Sequence, residues 1–134
     1  MNKVEHIGIA VKSIEESEKV FSLLLNKSSY KTEKVESEGV NTQFFMVGET
    51  KIELLESVKN DSAIAKFIEK KGEGVHHIAF AVDDIEKEIA RLTENGFELI
   101  HKTAKEGADN KMIAFLHPKS TNGILIELCM EKKH

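Results

Sequence analysis

Large apolar residues alternate with small or polar ones over residues 4–11: Ile7, Ile9 and Val11 share one side, His6, Gly8 and Ala10 the other. The spacing predicts a strand with a bulky face packed on a helix and a hollow face carrying a histidine. The phrase returns 71 positions later, with Ile78, Phe80 and Val82 opposite His77, Ala79 and Ala81. Each copy runs into a helix signal. In the first, Ser13 and Glu16 have the capping-box form, and Ile14, Glu18, Phe21 and Leu25 mark the turns, with Val20 and Leu24 widening the apolar face. In the second, Asp83 with Glu86 opens the helix, Ile85, Ile89 and Leu92 line it, and Asn95-Gly96 ends it.

Three strand-like runs follow each helix. They are 30–35, 42–47 and 50–55 in the first half, and 98–102, 112–117 and 124–130 in the second. Gly48-Glu49 and the 118–123 stretch read as the turns before the last strands. A shorter helix, capped by Asp61 or Ser62 and ending at Gly72, joins the halves. The tail 131–134 reads as frayed. A second echo supports the duplication: Lys51-Ile52-Glu53-Leu54-Leu55 matches Leu125-Ile126-Glu127-Leu128-Cys129. The expected class is therefore α+β, two tandem βαβββ modules forming a curved mixed sheet. One domain over 1–134 is expected, with module one about 1–58, the linking helix about 61–72 and module two about 74–131.

Composition narrows the function classes. A net charge of -4 gives no basic footprint, so nucleic acid is not an expected partner. Cys129 is the only cysteine, which excludes an internal disulfide. The first residues lack the apolar core of a signal peptide, and no apolar run reaches membrane-span length. The expectation is a soluble cytosolic protein without a membrane partner.

The chemistry lies in the repeat. Each module contributes one His from its first strand and one Glu from its last: His6 and Glu53, then His77 and Glu127. Glu53 alternates with Ile52 and Leu54, and Glu127 with Ile126 and Leu128, so all four groups are assigned to the hollow face. A lone strand His or Glu is ordinarily structural or solvated; four at matched repeat positions point to a divalent-metal site around which the sheet curves. Imidazole with carboxylate suits Zn, Co, Ni or Mn, one ion per site, with positions left for substrate oxygens. His76 falls on the bulky face and reads as structural. Cys129 shares a face with Glu127 and reads as a buried, inert thiol. His101 and His117 have no counterpart in the first module.

These residues resemble the vicinal oxygen chelate superfamily, whose members bind two adjacent substrate oxygens to a metal. The resemblance covers nearly the whole chain. Within the superfamily, 5–11, 48–56, 61–67, 74–80, and His117-Pro118-Lys119-Ser120 followed by 123–128 look most like the methylmalonyl-CoA epimerase family. That likeness implies metal ligands His6, Glu53, His77 and Glu127, an acyl-CoA thioester substrate and a homodimer. It implies interconversion of (R)- and (S)-methylmalonyl-CoA by proton transfer through a metal-stabilised enolate. Glu127 would be a ligand that also exchanges a proton; its partner would be Glu53, or a residue of Glu36-Ser37-Glu38. Lys119 and Ser120 would contact the CoA phosphates. The chain departs from the pattern after Gly39-Val40, where Asn41-Thr42-Gln43 holds no acid, and at Gly107-Ala108-Asp109-Asn110. The nearest alternative is a glyoxalase I (lactoylglutathione lyase) acting on a glutathione hemithioacetal, although His117-Pro118-Lys119-Ser120 replaces its usual phrase and Arg91 is the only arginine. A metal-free small-molecule binding protein is a third reading.

Overall fold

The structure is a computed structural model that describes residues 1–132. It divides into two compact units, one of residues 6–76, the other of residues 1–5 with the chain from His77 onward.

The first unit begins within β1 (Lys3–Ala10), which leads into α1 (Ile14–Leu25), then β2 (Lys31–Val35), β3 (Val40–Val47), β4 (Thr50–Ser57) and α2 (Ala63–Lys71). The strands lie in the order β2-β3-β4-β1. β1 and β4 run parallel, with Gly8 beside Glu53. The β2-β3 and β3-β4 pairs are antiparallel. The tight β3-β4 turn depends on Gly48, whose φ of 61° favours glycine.

α1 starts where the Ser13 side chain accepts a hydrogen bond from the Glu16 amide, and ends at Asn26 in the left-handed conformation. Ile14, Phe21 and Leu25 pack with Ile9, Val11, Phe45, Ile52 and Leu54, so the bulky face of β1 lies under the helix. Val20 and Leu24 do not join that core: both are exposed, as is Leu23. The inner side of this turn is taken instead by Glu18, which accepts hydrogen bonds from Ser29 and from the buried Gln43. α2 is capped by Ser62 and closed at Gly72, as its sequence predicts. Its Ile64, Phe67 and Ile68 pack on Ala10, Val40 and Leu55. The hollow face is thus covered by α2 at its Ala10 end and stays free of large side chains on β1 only at His6 and Gly8.

The second unit repeats the plan with β5 (Gly74–Ala81), α3 (Ile85–Glu94), β6 (Lys105–Glu106), β7 (Lys111–Leu116) and β8 (Ile126–Glu131), ordered β5-β8-β7-β6. β5 and β8 are parallel, with Ala79 beside Glu127. α3 buries Ile85, Ile89 and Leu92 against Val82, Ala114, Leu116 and Leu128. Its N-cap is Asp84, which accepts from the Lys87 amide, and not Asp83, which accepts from the Asn2 side chain.

The stretch 98–102 is not the expected strand. Its pairing is limited to a bridge at Leu99–Leu116 and flanking backbone bonds, and the regular strand falls later, at Lys105–Glu106. Asp109 and Asn110 turn the chain back into β7 with positive φ, a conformation these side chains tolerate. The tail is more ordered than its charge suggests: Glu131 ends β8 and pairs with Lys111, and Lys132 pairs with Glu106. The expectation for Lys133 and His134 lies outside the described residues.

Leu54 is fully buried under α1. Leu54→Ala is expected to lower unfolding free energy by about 2–5 kcal/mol, read as an earlier urea midpoint with an unchanged m-value.

Candidate metal centre

The two halves place their candidate ligands by the same local rule. In the first unit His6 Nδ1 lies 3.1 Å from Glu53 Oε2, and both side chains are buried. In the second, His77 Nε2 lies 3.1 Å from Glu127 Oε1, again with both buried. Parallel register produces each pair: the small residue two places after the His, Gly8 or Ala79, sits beside the Glu on the neighbouring strand. A large side chain there would cover the carboxylate.

The outer neighbours match as well. Phe44 opposes Glu53 and Phe115 opposes Glu127 across the antiparallel pairs. Phe115 meets the His77 ring edge-on, with centroids 5.8 Å apart. Each imidazole–carboxylate pair is thus buried, with a phenylalanine opposite its carboxylate on the neighbouring strand. Buried charge of this kind is retained only when it is paired or coordinates an ion, and the imidazole and carboxylate donors fit a divalent metal.

Other sequence candidates fall elsewhere. His76 packs edge-on against Phe67 of α2, with centroids 5.1 Å apart, a structural role. His117 caps the short 3-10 turn Pro118–Ser120, its Nδ1 accepting from the Lys119 amide. Within that turn Lys119 is exposed and its Nζ lies 3.3 Å from Glu98 Oε1, while the Ser120 hydroxyl accepts from the Glu98 amide. Glu36–Glu38 forms a 3-10 turn ended by Gly39, and Glu38 lines a polar pocket with Ser37, Lys59, Asp61 and Ser62.

Cys129 is buried, with its Sγ 3.6 Å from the Phe80 carbonyl oxygen. A Glu5 carboxylate oxygen lies within 4.8 Å of the same sulfur, and Glu5 is itself buried. Sequence reasoning missed Glu5, because the alternation assigned it only a strand position beside His6. It also passed over Thr42 and Gln43, both buried polar residues of β3.

Comparison with known proteins places this geometry in a class. The profile of the glyoxalase/bleomycin resistance protein/dioxygenase superfamily matches residues 5–115, and the chain belongs to that superfamily with its glyoxalase-like fold. Within it, the chain is homologous to methylmalonyl-CoA epimerases. It is 36% identical to the mitochondrial methylmalonyl-CoA epimerase of Dictyostelium discoideum, over 96% of this chain and 78% of that protein. A variant of the Streptomyces coelicolor methylmalonyl-CoA epimerase, solved with 2-nitronate-propionyl-CoA, superposes with a TM-score of 0.93 at 31% identity, covering 98% of this chain and 95% of that one. The uncharacterized protein YqjC of Bacillus subtilis is 41% identical, over 98% of this chain and 94% of that protein. Among the described residues, no helix is long and apolar enough to cross a membrane.

Because Cys129 is buried, a bulky aromatic disulfide reagent is expected to leave it unmodified in the native protein. One thiol per chain should react after unfolding in guanidinium. Rapid native labelling would contradict its placement.

Proposed function

We propose that the chain is a divalent-metal-dependent epimerase that interconverts (R)- and (S)-methylmalonyl-CoA. The observation that carries the reading is the duplicated, buried His–Glu pair in one register, on a fold shared with epimerases that bind acyl-CoA analogues. In this proposal His6, Glu53, His77 and Glu127 act on one ion, and residues 1–134 work as a single domain, since neither half alone has a full ligand set. When bound, a Co, Zn, Ni or Mn ion supplies positive charge next to the thioester oxygen, worth several kcal/mol as negative charge develops there.

The remaining work falls to the chain. The carbon between a thioester and a carboxylate loses its proton as the C–H electron pair moves toward the thioester oxygen, giving an enolate. Return of a proton to the opposite face inverts the centre. That exchange needs one acid–base group for each face, and the repeat supplies one carboxylate from each half. Glu127 is assigned the first proton transfer and Glu53 the second. Each transfer is worth roughly 10²–10⁴ in rate. The apolar surroundings set by Phe44 and Phe115 keep bulk water from protonating either face at random.

Lys119 and Ser120 are assigned to the CoA phosphates. The Lys119–Glu98 pair is solvent-exposed and worth no more than about 1 kcal/mol, so the ammonium group is readily given up to a phosphate. Ser120 uses its oxygen to accept from Glu98, which leaves its hydroxyl hydrogen to donate. The exposed apolar stripe of Val20, Leu23 and Leu24 on α1 is surface that the homodimer implied by resemblance would cover. The glutathione alternative has support only at the level of the superfamily, and Arg91, the only arginine, pairs with Glu88 on α3.

Proton NMR of methylmalonyl-CoA in D₂O tests the assignment. Cobalt- or zinc-loaded protein should wash out the α-proton signal, and a chelator should stop the exchange. Glu127→Gln is expected to slow exchange by about 10²-fold or more while metal is still bound. Full exchange in that variant would remove Glu127 from proton transfer. Absence of exchange in metal-loaded wild-type protein would remove the epimerase reading.

A further inference from the structure

The two half-sites match at the ligands and differ at one neighbouring position. In β7, Ile113 opposes Cys129 and packs with Ala79, Cys129 and Phe115. Its counterpart in β3, 71 positions earlier, is Thr42, which opposes Leu55. An apolar side chain therefore suffices at this place in the repeat, yet the first half carries a hydroxyl. Thr42 is 1% exposed, and its Oγ1 is buried without a hydrogen-bond partner among the described residues. A buried, unpaired hydroxyl is destabilising, and a methyl group in its place would not be.

Its position along the strand fixes which neighbours the hydroxyl has. Cross-strand partners share a face, so Thr42 lies with Leu55 and Phe44 with Glu53 on one side of the sheet. Strand alternation puts Thr42 on the same face as Glu53, diagonally across from it. On its far side the surface is closed by α2 through Leu55 and Val40. Thr42 thus marks the edge between the filled and the ligand-bearing parts of this face. A threonine hydroxyl does not ionise near neutral pH, so it serves as a donor and not as a base.

We propose that Thr42 is a substrate-binding residue whose hydroxyl donates a hydrogen bond to a carboxylate oxygen of the ligand held beside Glu53. The inference rests on the proposed function for the identity of that ligand, a malonyl-type dicarboxylate or its thioester. The first half then positions the carboxylate of the substrate, while Ile113, the equivalent residue of the second half, is apolar and packed with Ala79, Cys129 and Phe115. The sequence difference breaks the twofold symmetry of the repeat, as an unsymmetrical ligand requires.

The test compares wild-type, Thr42→Val and Thr42→Ser proteins, all loaded with cobalt, by calorimetric titration with malonate and by thermal unfolding. Thr42→Val keeps the side-chain shape and removes the donor. It should weaken malonate binding by about tenfold or more, leave cobalt stoichiometry unchanged, and raise Tm by about 2–4 °C. Thr42→Ser should hold malonate within about threefold of wild type, since it keeps the donor. Equal malonate affinity in wild type and Thr42→Val would overturn the proposal. So would a fall in Tm, which would show that the hydroxyl has a structural partner. If wild type binds malonate but exchanges no methylmalonyl-CoA proton, the epimerase reading fails and the affinity ratio still decides the role of Thr42. A wild-type protein that binds cobalt and no malonate would overturn the proposal for Thr42 and leave the epimerase reading to the exchange experiment.

Discussion

A carboxylate buried among apolar strand neighbours must be neutralised, and both halves of this chain meet that demand in one way. Glu53 and Glu127 sit between large residues on the last strand of their module, and a buried imidazole lies 3.1 Å from each. Much of the local architecture follows. The parallel pairing of first and last strands sets His and Glu within reach, and the small Gly8 or Ala79 keeps the carboxylate uncovered. Helices take the opposite face, α1 on Ile9 and Leu54, α3 on Val82 and Leu128. Losing one partner of such a pair would leave an uncompensated buried charge, at a cost of about 3–5 kcal/mol. Structure and chemistry therefore place the same constraint on these four residues.

The duplication was legible in the sequence because strand alternation and capping signals each occur twice. That was enough for the βαβββ order, for α2 with its Ser62 and Gly72 ends, and for which His and Glu belong together in each half. Errors came where local pattern and packing part company. Val20 and Leu24 fit the helical spacing of α1 yet face outward, and only Ile14, Phe21 and Leu25 of that helix pack on Val11, Phe45 and Leu54. Residues 98–102 have strand-like composition, but the chain makes one bridge there before turning. Asp83 and Asp84 are equally good caps by composition; the Lys87 amide bonds to Asp84, while Asp83 accepts from Asn2.

Thr42 was invisible for a different reason. Residues 40–43 hold no acid, and a hydroxyl in a strand carries no signal of its own. The signal exists only by comparing the repeats position by position, Thr42 against Ile113, and by knowing that both places are buried. Glu5 escaped notice similarly, since its burial is set by tertiary packing and not by its strand position.

In the proposed function, one His–Glu pair from each half serves a single ion. Cobalt loading followed by elemental analysis and X-ray absorption at the cobalt edge tests it most directly. One cobalt per chain is expected, with scattering from two imidazoles and from carboxylate oxygens bound to the metal. Two cobalt ions per chain, or one ion with a single imidazole, would show that the half-sites act separately and would contradict it.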